Sequence, residues 1–357
     1  MTCTGGNGIW SKAHLNIWLP YVRGGSGIDV YTKLLARGLE TAGHKVVLQE
    51  FPHNYQYAPW LLRGVPTPPD PDIVVANSWN GFAFAGRAIP LVVVEHHCVF
   101  DPNYRPYRSF PQALFHETFV RRWAVRSFKA ASAIVTVSNY TRDSLAEALR
   151  VEASDVIYNG IDTDFYCPDP SQVSAKSAGR FRLLFVGNLS RRKGADLLPK
   201  ILTTLGDGYE LHYTSGLRSD SRLADFPNAH ALGRLSSKQL REVYRQASVL
   251  IFPSRLEGFG LAAAESMACG TPVIASRRSA LAEIVDDGET GTLCAMNDVN
   301  AFASAIRGLR DDTQRLSRLG QNARATAAKR FSVDTMSAHY LELFSRLKAA
   351  RLRNRTS

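Results

Sequence analysis

The sequence predicts an α/β protein of two Rossmann-like, open-sheet domains that face a central cleft, and three observations carry the prediction. The chain has 357 residues, about two domains at the usual 100 to 200 residues each. Short apolar runs of strand length alternate with segments of helical periodicity, the pattern of a parallel sheet covered on both faces. That pattern halts at a polar, turn-rich stretch over residues 169 to 180 and then begins again.

In the first domain, residues 1 to 168, Leu15 to Leu19 reads as a strand, Arg23-Gly24-Gly25-Ser26-Gly27 as a turn, and the stretch carrying Val30, Leu34, Leu35 and Leu39 as a helix. Gly43-His44 ends that helix, and Lys45 to Phe51 is the next strand. Further strands are expected at Asp72 to Ala76, Pro90 to Glu95, Ala133 to Val137 and Asp155 to Tyr158. In the second domain, residues 181 to 334, strand Arg182 to Val186 is followed by a polar turn at Gly187 to Gly194 and a helix at Ala195 to Leu205. Strands Glu210 to Thr214, Val249 to Phe252 and Pro272 to Ala275 alternate with helices at Ser236 to Gln246 and Gly260 to Ala268. After Asn297 the pattern is helical to the end, and a last helix over 335 to 357 is expected to pack back on the first domain.

Composition narrows the class. With 45% hydrophobic and 21% charged residues the chain can build a core, which excludes disorder. The five cysteines, Cys3, Cys98, Cys167, Cys269 and Cys294, show no CxxC spacing, so neither a disulfide framework nor a zinc site is indicated. No apolar run reaches the roughly 18 residues of a membrane span, and the first residues lack the pattern of a signal peptide, so a cytoplasmic protein is expected. Forty-three Lys and Arg against 32 Asp and Glu leave a formal charge of +11, which favours anionic partners.

The most informative stretch is Pro253 to Ser276, PSRLEGFGLAAAESMACGTPVIAS. A strand ends at Phe252, a loop carries Glu257-Gly258-Phe259-Gly260, and a helix starts near Gly260. Glycines let bare N–H groups approach a ligand and the helix N-terminus adds partial positive charge, together a diphosphate site. Helical side chains lean toward the N-terminus, so Glu265 can reach back to the hydroxyls of a ligand held there. Gly24-Gly25-Ser26-Gly27 is no dinucleotide fingerprint, because Val30 stands where the third glycine is needed. Asp70-Pro71-Asp72 and Asp162-Thr163-Asp164 have the letters of a metal-binding Asp-x-Asp, but the first precedes its strand in a proline-rich turn, and metal dependence is rejected. Residues 103 to 130 combine Arg105, Arg108, Arg121, Arg122, Arg126 and Lys129 with seven aromatic residues, which suits an interfacial surface or an anionic acceptor. No nucleic-acid module accompanies that patch, so nucleic acid is the least supported partner.

Glu257 and Glu265 with seven residues between them, followed by Gly270-Thr271-Pro272-Val273-Ile274-Ala275-Ser276, resemble the signature of the retaining glycosyltransferases of family 4, which have the GT-B fold. The likeness extends through Gly24-Gly25, Val137-Ser138, Asn159-Gly160-Ile161-Asp162, Lys193-Gly194, Leu232-Gly233 and Glu283-Ile284-Val285. It implies that Glu257 contacts the donor sugar, that the backbone of Phe259, Gly260 and Leu261 holds sugar and diphosphate, and that Glu265 binds the ribose. It also implies that Lys193 stabilises the departing diphosphate, with Gly25 against it from the first domain and Gly233 near the base. The family usually has an arginine where this chain has Asn188, so Arg191 or Arg192 is expected to supply the second cation. A histidine near the reacting sugar matches His96 or its neighbour His97, with His96 favoured.

The resemblance therefore implies a metal-independent enzyme without cofactor, moving a sugar from a UDP- or GDP-linked donor to a glycan or lipid-linked acceptor in envelope polysaccharide or lipopolysaccharide synthesis. Peripheral contact with an anionic membrane fits the charge. A nucleotide-sugar 2-epimerase of the same fold, or a non-catalytic glycan- or nucleic-acid-binding protein, is the alternative.

Overall fold

The computed structural model describes residues 14–25, 27–169, 180–215 and 221–356. Apart from its two ends, the expected linker at 169 to 180 lies outside the described residues, as do Ser26 and Cys3.

Two six-stranded sheets, parallel throughout, organise the chain. The first contains β1 (Asn16–Val22), β2 (Lys45–Phe51), β3 (Ile73–Asn77), β4 (Leu91–Glu95), β5 (Ala133–Thr136) and β6 (Asp155–Val156), in the order β2-β1-β3-β4-β5-β6. The second contains β7 (Phe181–Phe185), β8 (Tyr209–Thr214), β9 (Ala229–Gly233), β10 (Val249–Phe252), β11 (Val273–Ser276) and β12 (Gly291–Cys294), in the order β12-β11-β10-β7-β8-β9. Strand order reverses between β1 and β3 in one sheet and between β7 and β10 in the other. A crevice opens at the carboxyl end of the strands at each reversal, which is where open α/β sheets bind ligands.

The central strands are the legible ones because both faces are covered: β4, β10 and β11 are buried at every position. Two strands were not expected from the sequence, and both are short edges. β9 is partly exposed along its whole length, and β12 has only four residues, so neither presents a long apolar run. The predicted Ala195 to Leu205 helix is a 3-10 turn at Ala195–Leu197 leading into an α-helix at Leu198–Leu205. The helical end divides into Val299–Asp311, Thr313–Arg330 and Val333–Thr356.

The last of these helices lies on the first domain. Ile161 is held on both sides of the crossing: its N–H donates to the Phe331 carbonyl at 2.8 Å, and its carbonyl accepts from the Val333 N–H at 3.1 Å. Gly38 in the Gly27–Thr41 helix leaves the space that Ser337 and Val333 fill, since a Cβ there would fall 2.1 Å from the Ser337 hydroxyl. The buried hydroxyls of Tyr31 and Tyr340 bond to one another. The basic end of this helix is largely engaged: Arg346 pairs with Asp155, Lys348 with Asp72 at 3.3 Å, and Arg351 donates to the Ala88 carbonyl at 2.5 Å. That part of the positive charge ties the helix to the first domain.

Candidate active site

The loop after β10 and the loop after β7 meet at the second domain's switch point, and Arg255 ties them together. Its guanidinium pairs with Asp196 at 2.6 and 2.8 Å, donates to Asn297 at 2.6 Å and reaches the Arg191 carbonyl. Its backbone N–H donates to the Arg192 carbonyl at 2.9 Å. Gly194 is left-handed (φ +72°), and a Cβ there would sit 2.1 Å from the Pro253 carbonyl oxygen, so the loops touch backbone to backbone. Sequence inspection missed Arg255 and Asp196, which have no contact signature in one dimension.

This framework delivers Lys193 onto Glu257. The ammonium lies 2.6 Å from the carboxylate, Arg192 is 3.8 Å from the same oxygen, and the Ser254 hydroxyl donates to it at 2.5 Å. Arg192 also donates to the Leu256 carbonyl at 2.6 Å, whereas Arg191 is exposed and contributes its carbonyl to Arg255. Burial pushes the Glu257 carboxyl up, but Lys193, Arg192 and Ser254 more than reverse this and hold it below its ordinary value. Burial likewise pulls the Lys193 ammonium down, against the attraction of Glu257. The result is an ionised, mostly buried pair with a second cation beside it.

Gly260, left-handed at φ +104°, opens the Leu261–Ala268 helix, and a Cβ on it would strike Leu281 at 2.9 Å. Phe259 turns its ring into the core against Phe331 and Tyr158, leaving its backbone to face the cleft. Glu265 accepts from the Tyr244 hydroxyl at 2.9 Å. Asn188 is exposed, and Gly233 is left-handed (φ +66°) at the end of β9 with open space beyond its Cα.

Burial pushes the Glu265 carboxyl up to about 7, with the Tyr244 and Tyr166 hydroxyls opposing the rise. Its folded value exceeds its ordinary value of 4.5, so the stability it contributes is complete below about pH 4.5 and is lost as pH rises through 7. Glu265→Gln is therefore expected to remove a decline in stability over that window. Urea midpoints at pH 4.5, 6 and 8 check this, and parallel curves for both proteins would refute it.

The first domain meets the site from across the cleft. His96 and His97 follow β4, and a Cβ on Gly258 would fall 2.0 Å from the His96 carbonyl oxygen. The Gly258 carbonyl accepts from the Ser138 and Thr141 hydroxyls at 2.6 and 3.1 Å. Glu283 crosses the other way and accepts from the Asn139 and Tyr140 N–H groups, at 3.0 and 2.9 Å, at the start of the Asn139–Leu149 helix. That carboxylate on a helix N-terminus is a favourable placement, here made between domains. Burial lowers both histidines to about 4, so both are neutral at pH 7. His97 lies within the field of Arg192, Lys193 and Glu257, while the His96 ring stacks edge-on against Tyr31. Gly25 is left-handed (φ +63°), and its N–H donates to Asp29 at 2.7 Å. Leu261, at the start of the second-domain helix, is 3.1 Å from a Cβ position on Gly27, which brings the two helix N-termini face to face.

Two carboxylates of the Asp-x-Asp stretches bond within the first domain: Asp72 accepts from the Asn16 N–H at 2.9 Å, and Asp162 pairs with Arg37 and accepts from the Phe165 N–H at 2.9 Å.

Comparison with known proteins gives a consistent result. Residues 180–312 match the family model described as glycosyl transferases group 1, and residues 47–165 match glycosyltransferase family 4. A D-inositol 3-phosphate glycosyltransferase of Catenulispora acidiphila is 32% identical over 245 residues, covering 60% of this chain and 57% of that one. A GDP-mannose-dependent alpha-(1-6)-phosphatidylinositol monomannoside mannosyltransferase of Mycolicibacterium smegmatis is 30% identical over 259 residues, covering 65% and 67%. The chain spans little more than half the length of the first curated relatives it matches. Among solved structures, sucrose-phosphate synthase from Thermosynechococcus elongatus aligns with a TM-score of 0.79 at 22% identity, over 94% of this chain and all of that one. Anabaena HepE in complex with UDP and glucose aligns with a TM-score of 0.72 at 20% identity, over 93% and 100%. Both likenesses establish the two-domain GT-B fold.

Proposed function

The chain belongs to glycosyltransferase family 4, and from that premise we propose that it transfers a sugar, with retention of anomeric configuration, from a UDP- or GDP-linked donor to a hydroxyl of a glycan or lipid-linked acceptor. The observation that carries this reading is the buried Lys193–Glu257 pair with Arg192 beside it, set where two helix N-termini face one another. Lys193 and Arg192 stabilise the diphosphate as it leaves, and Glu257 holds Lys193 and accepts from sugar hydroxyls. Arg192 is the cation favoured to act in place of the family arginine at Asn188, because it reaches the Glu257 carboxylate while Arg191 points to solvent. Glu265 receives the ribose hydroxyls, Gly25 lies against the diphosphate, and Gly233 lies near the base. His96 or His97 faces the reacting sugar.

A peripheral membrane role in envelope polysaccharide or lipopolysaccharide assembly is supported by a surface cluster of the first domain. Phe110 (81% exposed), Leu114 and Phe119 are exposed, as are Tyr57, Trp60 and Leu61, and ring contacts of Tyr57 with Phe115 and of Trp60 with Trp123 join the two segments, while Trp123 and Phe128 pack inward. Arg105, Arg122 and Arg126 lie on the same segment. Among the described residues no helix is long and apolar enough to cross a membrane.

The test is a panel of UDP-, GDP- and ADP-sugars scored by thermal stabilisation and by acceptor-dependent release of nucleoside diphosphate. The panel decides the base, since the M. smegmatis relative's name specifies GDP-mannose whereas HepE was solved with UDP and glucose. A true donor at 100 times its dissociation constant adds about 2.7 kcal/mol of stability. A flat response to every nucleotide overturns the reading, and acceptor-independent release of an epimerised sugar would favour the 2-epimerase. The one-bond carbon–proton coupling at the new anomeric centre reports retention.

A further inference from the structure

A chamber of about 410 Å³ opens in the first domain, at the carboxyl ends of β1, β3 and β4. His96 and His97 form its wall on the side where Gly258 abuts, so an acceptor hydroxyl in the chamber can approach the sugar end of the donor. In a chain of net charge +11, none of the described residues lining this chamber is Lys or Arg. The charge facing it has the opposite sign. It comes from Asp29 on the wall, whose carboxylate accepts from the Gly24 and Gly25 N–H groups; the other acid there, Glu95, is pushed up to about 7 by burial and adds only part of a negative charge at neutral pH. The cations nearest the reaction, Lys193 and Arg192, belong to the other domain and already face Glu257.

The rest of the lining suits an apolar ring face. Tyr21 and Tyr31 have their hydroxyls engaged by Glu50 and Tyr340, so both rings present mainly carbon surface, and Tyr55 and Trp79 add two more aromatic walls. Two polar atoms of the lining are buried without a hydrogen-bond partner, the Asn80 side-chain oxygen and His97 Nε2. A buried polar atom left unpaired is costly, and a hydroxylated ring supplies what both lack. A phosphate or carboxylate in the same place would be desolvated beside Asp29 with no counter-cation.

We propose that this chamber takes the acceptor and selects one whose reacting unit is an uncharged, hydroxyl-bearing ring with an apolar face, and excludes rings carrying phosphate or carboxylate. The inference rests on the donor reading above and specifies the class of acceptor. An apolar aglycone leaving past Pro59 meets the exposed Tyr57 and Trp60, so anionic parts of a lipid-linked acceptor stay outside the chamber.

The test uses octyl glycosides of glucose, galactose, mannose and N-acetylglucosamine below their micelle concentrations, each paired with its 6-phosphate. Binding is followed by calorimetry on the full chain with the stabilising nucleoside diphosphate present, and transfer by product formation. The expected result is saturable binding of at least one uncharged glycoside, with its 6-phosphate weaker by about 100-fold or more, the discrimination that a buried unpaired anion implies. Gln56→Lys, which places a cation on the chamber wall, is expected to narrow that ratio at least tenfold. Equal or tighter binding of the phosphates by the unaltered protein overturns the proposal. So does the absence of binding by all glycosides in a protein that nucleotide still stabilises, and that outcome leaves the donor reading standing. A protein that no nucleotide stabilises loses the donor reading instead.

Discussion

Lys193→Met is expected to lower turnover by about 10² to 10³, the range found when one preorganised group that stabilises developing charge is removed. The structure adds a second consequence. Lys193 is paired at 2.6 Å with the buried Glu257 carboxylate, and removing one partner of such a pair destabilises by about 3 to 5 kcal/mol. Arg192 and Ser254 remain on that carboxylate, so the loss should fall at the lower end of the range. Glu257→Gln should behave alike, leaving Lys193 uncompensated beside Arg192. The double variant Lys193→Met/Glu257→Gln separates the two effects. It removes both charges and should regain most of the stability lost by either single change, while turnover stays at the level of the worse single variant. Urea denaturation and release of nucleoside diphosphate give the two readings. A double variant that is both stable and near-normal in turnover would show that the pair is structural only.

The contrast between Glu257 and its partners shows what the sequence could and could not say. The two glutamates and the glycines between them were legible because they lie on one short stretch, where spacing along a strand, a loop and a helix fixes the geometry. The central strands were legible for a similar reason, since a strand buried on both faces, such as Leu-Val-Val-Val-Glu in β4, is nearly all apolar. Edge strands β9 and β12 lack that cover and were not anticipated. What is invisible in one dimension is the meeting of distant loops. Lys193 reaches Glu257 because Arg255 clamps Asp196 and the Arg191 carbonyl, and nothing in the spelling of either loop announces it. Glu283 stands in the sequence only as part of a Glu-Ile-Val likeness, yet it bridges the cleft to the Asn139–Leu149 helix. The charge excess also divides differently in three dimensions, because Arg346, Lys348 and Arg351 fasten the last helix to the first domain.

Gly258→Ala should produce the other large effect, for a reason independent of charge. Gly258 is a point where the loop after β10 touches the first domain, and the added methyl carbon would lie 2.0 Å from the His96 carbonyl oxygen. A Cβ is fixed by its own backbone and the atom it meets is a backbone carbonyl oxygen, so no flexible side chain can move aside. The contact relaxes only if the domains part, and parting also lengthens the bonds that Ser138 and Thr141 donate to the Gly258 carbonyl. A displacement of about 1 Å between reacting groups can cost about 100-fold in rate, and a loss of that size is expected in turnover. Donor affinity should change only a few-fold, because Lys193, Arg192 and Glu265 are all carried by the second domain and move with it. Small-angle scattering should show a larger radius of gyration for the variant, with each domain keeping its fold by circular dichroism. Normal turnover with unchanged scattering would mean that the Gly258–His96 contact is not where the two domains close upon the reaction.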